Sequence, residues 1–83
     1  MLNTKKIYNM YKKFEKEWSF HWYDYIKKNY DIYSYYKELS GNPNLIWEIV
    51  ENNPNFNWDY DCLSANPNIT WEIVQANQDK PWN

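Results

Sequence analysis

Apolar and polar positions alternate at helical spacing in the first part of the chain. Ile7, Met10, Tyr11, Phe14 and Trp18 follow one another at intervals of three or four residues, with lysines between them. This spacing places the apolar side chains on one face of an amphipathic helix, which we predict over residues 4–18 with Asn3 or Thr4 as N-cap. We expect the helix, with residues 1–18 as its segment, to cap the units that follow.

A longer pattern governs the rest of the chain. The string Leu-Ser-Gly-Asn-Pro-Asn-Leu-Ile-Trp-Glu-Ile-Val at residues 39–50 returns at 63–74 as Leu-Ser-Ala-Asn-Pro-Asn-Ile-Thr-Trp-Glu-Ile-Val, and Trp71 minus Trp47 gives a period of 24 residues. A degenerate copy begins at Tyr23. Periods of 20–50 residues are typical of stacked repeats. We therefore predict one domain, 1–83, with a degenerate repeat at 18–41, a repeat at 42–65 and a truncated repeat at 66–83.

Asn-Pro-Asn marks the predicted helix boundaries. The residue before proline avoids the helical region, so Asn42, Asn53 and Asn66 should each end a helix, where asparagine also tolerates a left-handed conformation. The residue two positions later should cap the next helix; these N-cap candidates are Asn44, Asn55, Asn68 and Asp79. The predicted helices span residues 45–52, 56–64 and 69–76.

These elements predict an all-α fold, a short α-solenoid of 24-residue helical hairpins of either hand. Such short helices hold only by stacking on neighbours. Trp47, Trp58 and Trp71 are the structural tryptophans of the repeats, and we expect Trp47 and Trp71 to be buried. A chain rich in Asn and Tyr can also be disordered, but the regular phase of apolar residues favours a folded stack.

The string at 66–83 closely resembles a repeat unit found in proteins of giant DNA viruses of the mimivirus group. Those units resemble Asn-Pro-Asn-Ile-Thr-Trp-Glu-Ile-Val-Gln-Ala-Asn-Pro-Asp-Lys-Pro-Trp-Asn-Trp, followed by Leu-Ser and a further Asn-Pro-Asn. The likeness covers about residues 39–83, and Gln78 stands where the family has proline. It implies a repeat fold and a viral source, hence the infected host cytoplasm or the virion, and it implies no activity.

Composition and charge narrow the choice of function. The chain has six Trp, nine Tyr and three Phe among 83 residues and a single cysteine, Cys62, which cannot form an internal disulfide. No apolar run reaches the ~20 residues of a membrane span, and the amino terminus lacks the pattern of a signal peptide. We expect an intracellular protein without a membrane segment.

Catalytic and metal-binding patterns are not evident in the sequence. His21 has Asp24 nearby but no nucleophile, and Cys62 lies beside acidic residues, which disfavour a reactive thiolate. Gly41 is the only glycine, so no phosphate-binding loop is predicted. We expect no enzyme activity, no cofactor, no metal and no small-molecule substrate.

Protein recognition or self-association is the function that this pattern favours. Tyr30, Tyr33, Tyr35 and Tyr36 in the degenerate repeat are the candidate contacts, with packing of the cap as their alternative role. Trp82 is the fifth candidate, because the shortened last repeat leaves an apolar end that could pair with another copy. Residues 1–41 carry a net charge of +3 and interleave Lys with aromatics, as single-strand nucleic-acid binders do. The net charge of −5 on residues 42–83 and the lack of Arg make nucleic acid the less favoured partner.

Overall fold

The computed structural model describes residues 3–83, and within that range every regular element is an α-helix. The all-α prediction is therefore confirmed; the first two residues of the predicted cap, Met1 and Leu2, lie outside the described range. The chain is elongated and flat, with principal extents of 47 × 33 × 18 Å. Its helices are α1 (Thr4–Asn29), α2 (Tyr36–Ser40), α3 (Trp47–Asn52), α4 (Tyr60–Ser64) and α5 (Trp71–Ala76).

Helix α1 is much longer than the predicted segment 4–18. Asn3 caps it, as predicted, because its side chain accepts the Lys6 N–H at 2.8 Å. No proline or glycine interrupts residues 4–29, so the helix continues into the degenerate repeat and ends at Asn29, with Lys27 and Lys28 in the last turn. A boundary at residue 18 is therefore wrong.

The Asn-Pro-Asn segments form turns, and the helices begin two or four residues later than predicted. The Asn42 side chain accepts the Asn44 N–H at 2.8 Å, and Asn66 does the same for Asn68 at 2.9 Å. This Asx-turn uses the first asparagine, and the two residues before α3 and α5 are not helical. The prediction that Asn44, Asn55 and Asn68 are N-caps is wrong. The N-cap positions of α3, α4 and α5 are Ile46, Asp59 and Thr70.

Asparagine ends α3 and α5, although without the left-handed backbone that we expected. Asn53 and Asn77 have φ of −131° and −133°. Each donates its side-chain amide to a carbonyl four residues earlier, Ile49 at 2.7 Å and Ile73 at 2.8 Å. The side chain thus satisfies an orphan helix carbonyl directly, and no reversal of φ is needed.

Several contacts recur 24 residues apart. The Ser40 hydroxyl accepts the Asp59 N–H at 2.9 Å, and the Ser64 hydroxyl accepts the Asn83 N–H at 3.1 Å. The Trp58 ring lies 6.3 Å from Tyr23, and the Trp82 ring lies 5.7 Å from Trp47. Tyr23 therefore occupies the position relative to Trp58 that Trp47 occupies relative to Trp82.

Asn66 and Asn68 join residues 66–83 to residues 42–65 and to the end of α2. The buried Asn66 amide donates to the carbonyls of Ser40 and Asn42, both at 2.9 Å. The Asn68 amide donates to the carbonyls of Pro43 and Leu45. These asparagines work as cross-links between successive segments, because each side-chain amide satisfies backbone groups that the turns leave free.

The core is thin and lies between the short helices and the second half of α1. Trp58 is only 6% exposed, whereas Trp47 is half-buried and Trp71 is 68% exposed. The predicted burial of Trp71 is therefore wrong: Trp82 covers Trp47, and no described aromatic ring lies against Trp71 in the same way. The buried apolar residues are Tyr23, Ile32, Leu39, Leu45, Ile49, Val50, Trp58, Leu63 and Ile69.

Candidate protein-interaction surfaces

The apolar face of α1 points away from the rest of the molecule. The apolar side chains of this face, from Ile7 to Tyr25, are between 54% and 63% exposed. His21, which lies among them, is also exposed. The buried residues of α1 are Ser19 and Tyr23, which the helical period of 3.6 residues places on the opposite side. The prediction that this face caps the repeats is therefore wrong. We call it the outer seam: Ile7, Tyr11, Phe14, Trp18, His21 and Tyr25.

The inner face of α1 is held by contacts that begin at Lys16 and continue toward its carboxyl end. Tyr23 packs on Trp58, and Lys16 pairs with Glu48 at 2.9 Å. Trp18 lies at the edge of the outer seam, and its indole N–H donates a hydrogen bond to the Asn44 side chain at 3.3 Å. About two turns of α1, residues 4–11, lie on the amino-terminal side of these contacts. The body therefore fixes the direction of the outer seam without covering it.

The spacing of the outer seam is the signal that would have revealed it from sequence. The intervals run four, three, four, three, four from Ile7 to Tyr25, so that alternate members lie seven residues apart, as in the heptad seam of paired helices. The predicted boundary at residue 18 cut this series in two. The part of the series before residue 18 has the pattern of a short amphipathic helix, whose apolar face normally packs on the core.

The candidate tyrosines of the predicted degenerate repeat lie at the surface beside α2. Tyr30, Tyr33 and Tyr35 are exposed, Tyr33 at 73%, while Tyr36 is half-buried. The Tyr33 ring lies 5.5 Å from Phe56. Tyr30 and Tyr35 belong instead to an apolar groove of about 340 Å³ between α1 and α2. The groove is lined by Trp22, Ile26, Tyr30, Ile32, Tyr35, Glu38, Leu39 and Asn42.

Trp82 is a packing residue in this structure. Its ring is half-buried, 5.7 Å from Trp47 and 5.1 Å from Tyr60, and its N–H donates to the Asn77 carbonyl at 2.7 Å. Trp58 makes the equivalent bond to the Asn53 carbonyl at 2.9 Å. The exposed ring at this end of the chain is Trp71, which the sequence had placed in the stack.

Residues with catalytic potential lie apart from one another. Burial and a hydrogen bond to Asp59 raise the pKa of the Cys62 thiol, which keeps it in the less reactive protonated form. His21 is exposed on the outer seam of α1. Within residues 3–83, no three His, Cys, Asp or Glu side chains come together as a metal site.

The lysines of α1 are partly neutralised by neighbouring carboxylates. Lys12 lies 3.4 Å from Glu15, Lys28 lies 2.9 Å from Asp24, and Lys16 reaches Glu48 on α3. The Lys28 ammonium, through a hydrogen bond, holds the pKa of Asp24 below its ordinary value. These pairs reduce the positive field that a phosphate backbone would meet.

Comparison of the chain with protein-family models, curated proteins and solved structures gives no match. Of the helices in residues 3–83, none has the length and apolar character that crossing a membrane requires.

Proposed function

We propose that this chain is a non-enzymatic protein-interaction module, a short stack of helical units that holds the outer seam of α1 in place for a partner. The observation that carries the proposal is the outward direction of that seam. Contiguous exposed apolar surface on a small protein typically marks a binding site, and an amphipathic helix face is a common recognition element.

The exposed area of the molecule supports the same function. A folded monomer of 10.4 kDa is expected to expose about 5,400 Å², whereas this chain exposes 6350 Å². The excess of about 950 Å² is comparable to the ~800 Å² that each partner buries in a standard protein interface. Burial of this surface by a partner would bring the chain to the compactness of an ordinary domain.

The remainder of the chain fits the role of a scaffold. The cross-links made by Asn66 and Asn68, and the ring pairs of Trp58 and Trp82, support a solenoid of 24-residue units in which each unit contacts its neighbours. The family resemblance favours action in the infected host cytoplasm or in the virion.

Affinity capture with matched variants tests this function. The bait is the full chain, and the lysate comes from cells infected by a virus of the resembled group. The seam variant, Tyr11→Glu/Phe14→Glu, places two negative charges on the outer seam. The control variant, Lys5→Gln/Asn9→Glu, makes the same change in net charge on the opposite face of α1. Loss of a captured protein with the seam variant, and its retention with the control, supports the proposal. Equal capture by both variants refutes the seam as the binding surface.

The tyrosine surface is a second arm of that experiment. The Tyr33→Ala/Tyr35→Ala variant removes two exposed rings. If only this variant loses a captured protein, the binding surface lies in the degenerate repeat and not on the outer seam. Single-stranded nucleic acid is the weaker alternative, because Lys12, Lys16 and Lys28 already face carboxylates. Oligonucleotide binding that weakens steeply with salt would favour it.

A further inference from the structure

We infer that the outer seam pairs with the outer seam of a second copy, with the two α1 helices antiparallel. This inference rests on the proposed function and names the partner.

The spacing of the outer seam fits a second helix. Residues at alternating intervals of four and three form the contact seam of two helices that supercoil around each other, since each heptad returns the same positions to the partner helix. The seam extends over residues 7–25, about 27 Å of helix at 1.5 Å per residue. Its apolar side chains are more than half exposed, although Trp18 also bonds to Asn44, so the body on the inner face leaves room for a second helix.

The seam is also symmetric about its centre. In an antiparallel pair centred on Lys16, Ile7 meets Tyr25 of the other copy, Tyr11 meets His21 and Phe14 meets Trp18. All six positions on each copy are then paired in complete layers. A twofold axis places the same surface on both subunits, which is the commonest arrangement in soluble dimers.

Charge selects the antiparallel direction. Residues 1–16 carry five Lys and one Glu, a net charge of +4, and residues 17–83 carry four Lys and ten acids, a net charge of −6. A parallel pair would place the two positive ends together and the two negative bodies together. An antiparallel pair lays the positive end of each copy beside the negative body of the other, which is the favourable arrangement.

The area is sufficient for a stable pair. Four aromatic rings at about 60% exposure contribute roughly 500 Å² per copy, and Ile7 adds to this. Together with the flanking Tyr8 and Met10, which are also exposed, the seam approaches the ~800 Å² per partner of a standard interface.

Sedimentation equilibrium of the purified full chain, from low micromolar to near-millimolar concentration, is the first test. We expect a monomer–dimer equilibrium in the wild type. The Tyr11→Glu/Phe14→Glu variant should raise the dissociation constant roughly 100-fold or more, because each charge would be buried without a partner. The Lys5→Gln/Asn9→Glu control should leave it within about threefold. A wild type that is monomeric throughout overturns the inference, as does a dimer that the seam variant leaves intact.

Cysteine cross-linking then tests the direction. In a Cys62→Ser background, a mixture of Ile7→Cys and Tyr25→Cys chains should form a disulfide-linked heterodimer under mild oxidation. Ile7→Cys alone should not, since its two copies would lie about 27 Å apart along the axis. Ready cross-linking of Ile7→Cys to itself would show a parallel pair and overturn the antiparallel inference.

Failure here is distinguishable from failure of the proposed function. If the chain is monomeric but the seam variant loses a captured protein from the lysate, the seam binds a different protein and only the self-pairing inference is lost. If neither association nor capture depends on the seam, both are wrong.

Discussion

Removal of the Trp58 side chain should destabilise the fold far more than removal of Trp71. Trp58 is buried, its ring lies 4.6 Å from Phe56 and 6.3 Å from Tyr23, and its N–H donates to the Asn53 carbonyl. Truncation of a buried tryptophan costs about 3–5 kcal/mol. Trp71→Ala removes an exposed ring and should change the free energy of unfolding by less than about 0.5–1 kcal/mol.

Urea unfolding followed by far-UV circular dichroism measures this difference. A chain of 83 residues has roughly 4–12 kcal/mol of total stability, so Trp58→Ala should lower the urea midpoint by about 2 M for a typical slope near 2 kcal/mol/M. Trp58→Phe keeps most of the ring volume and measures the loss of the N–H bond if the alanine variant does not fold. Equal midpoint shifts for Trp58→Ala and Trp71→Ala would refute the assignment of buried and exposed tryptophans.

Two further predictions concern single polar groups. Asn66→Ala should cost about 2–4 kcal/mol in urea unfolding, because it removes the bonds to the Ser40 and Asn42 carbonyls in addition to the turn bond from Asn68. Asn42→Ala removes only the equivalent turn bond from Asn44 and should cost about 1 kcal/mol; similar losses would contradict the cross-linking role. The Cys62 N–H lowers the pKa of the Asp59 carboxyl, so its contribution to stability should be complete above the unfolded pKa of about 3.9 and lost as the pH falls through the lower folded pKa. Asp59→Asn should flatten that part of the stability–pH curve, and an unchanged curve would show that another carboxyl is responsible.

The all-α class was predictable because helical spacing and the recurring Asn-Pro-Asn string are local signals. The residues at which the helices begin were not predictable. Asn42 and Asn66 can either end a helix or close an Asx-turn. The choice depends on where the side-chain amides of Asn66 and Asn68 find carbonyl partners. Those partners lie 23–26 residues away, beyond the reach of a local propensity.

The candidate site was only half predictable for a related reason. The helical period of α1 shows that the helix has an apolar face. It does not show which of two surfaces of the helix packs against the rest of the molecule. Tyr23 and Ser19, together with the Lys16–Glu48 pair, decide this in favour of the inner face. Tyr23 aligns with Trp47 at the 24-residue period, and this alignment is a sign in the sequence that the Tyr23 face packs inward.

The unfolding free energy of the Tyr11→Glu/Phe14→Glu variant in dilute solution tests the central claim most directly. If the outer seam faces solvent and serves partners, these charges leave the monomer fold within about 0.5 kcal/mol of the wild type. If the same face caps the helical units, two buried unpaired charges would cost well over 3 kcal/mol and would unfold or nearly unfold the chain. That second result would contradict the account.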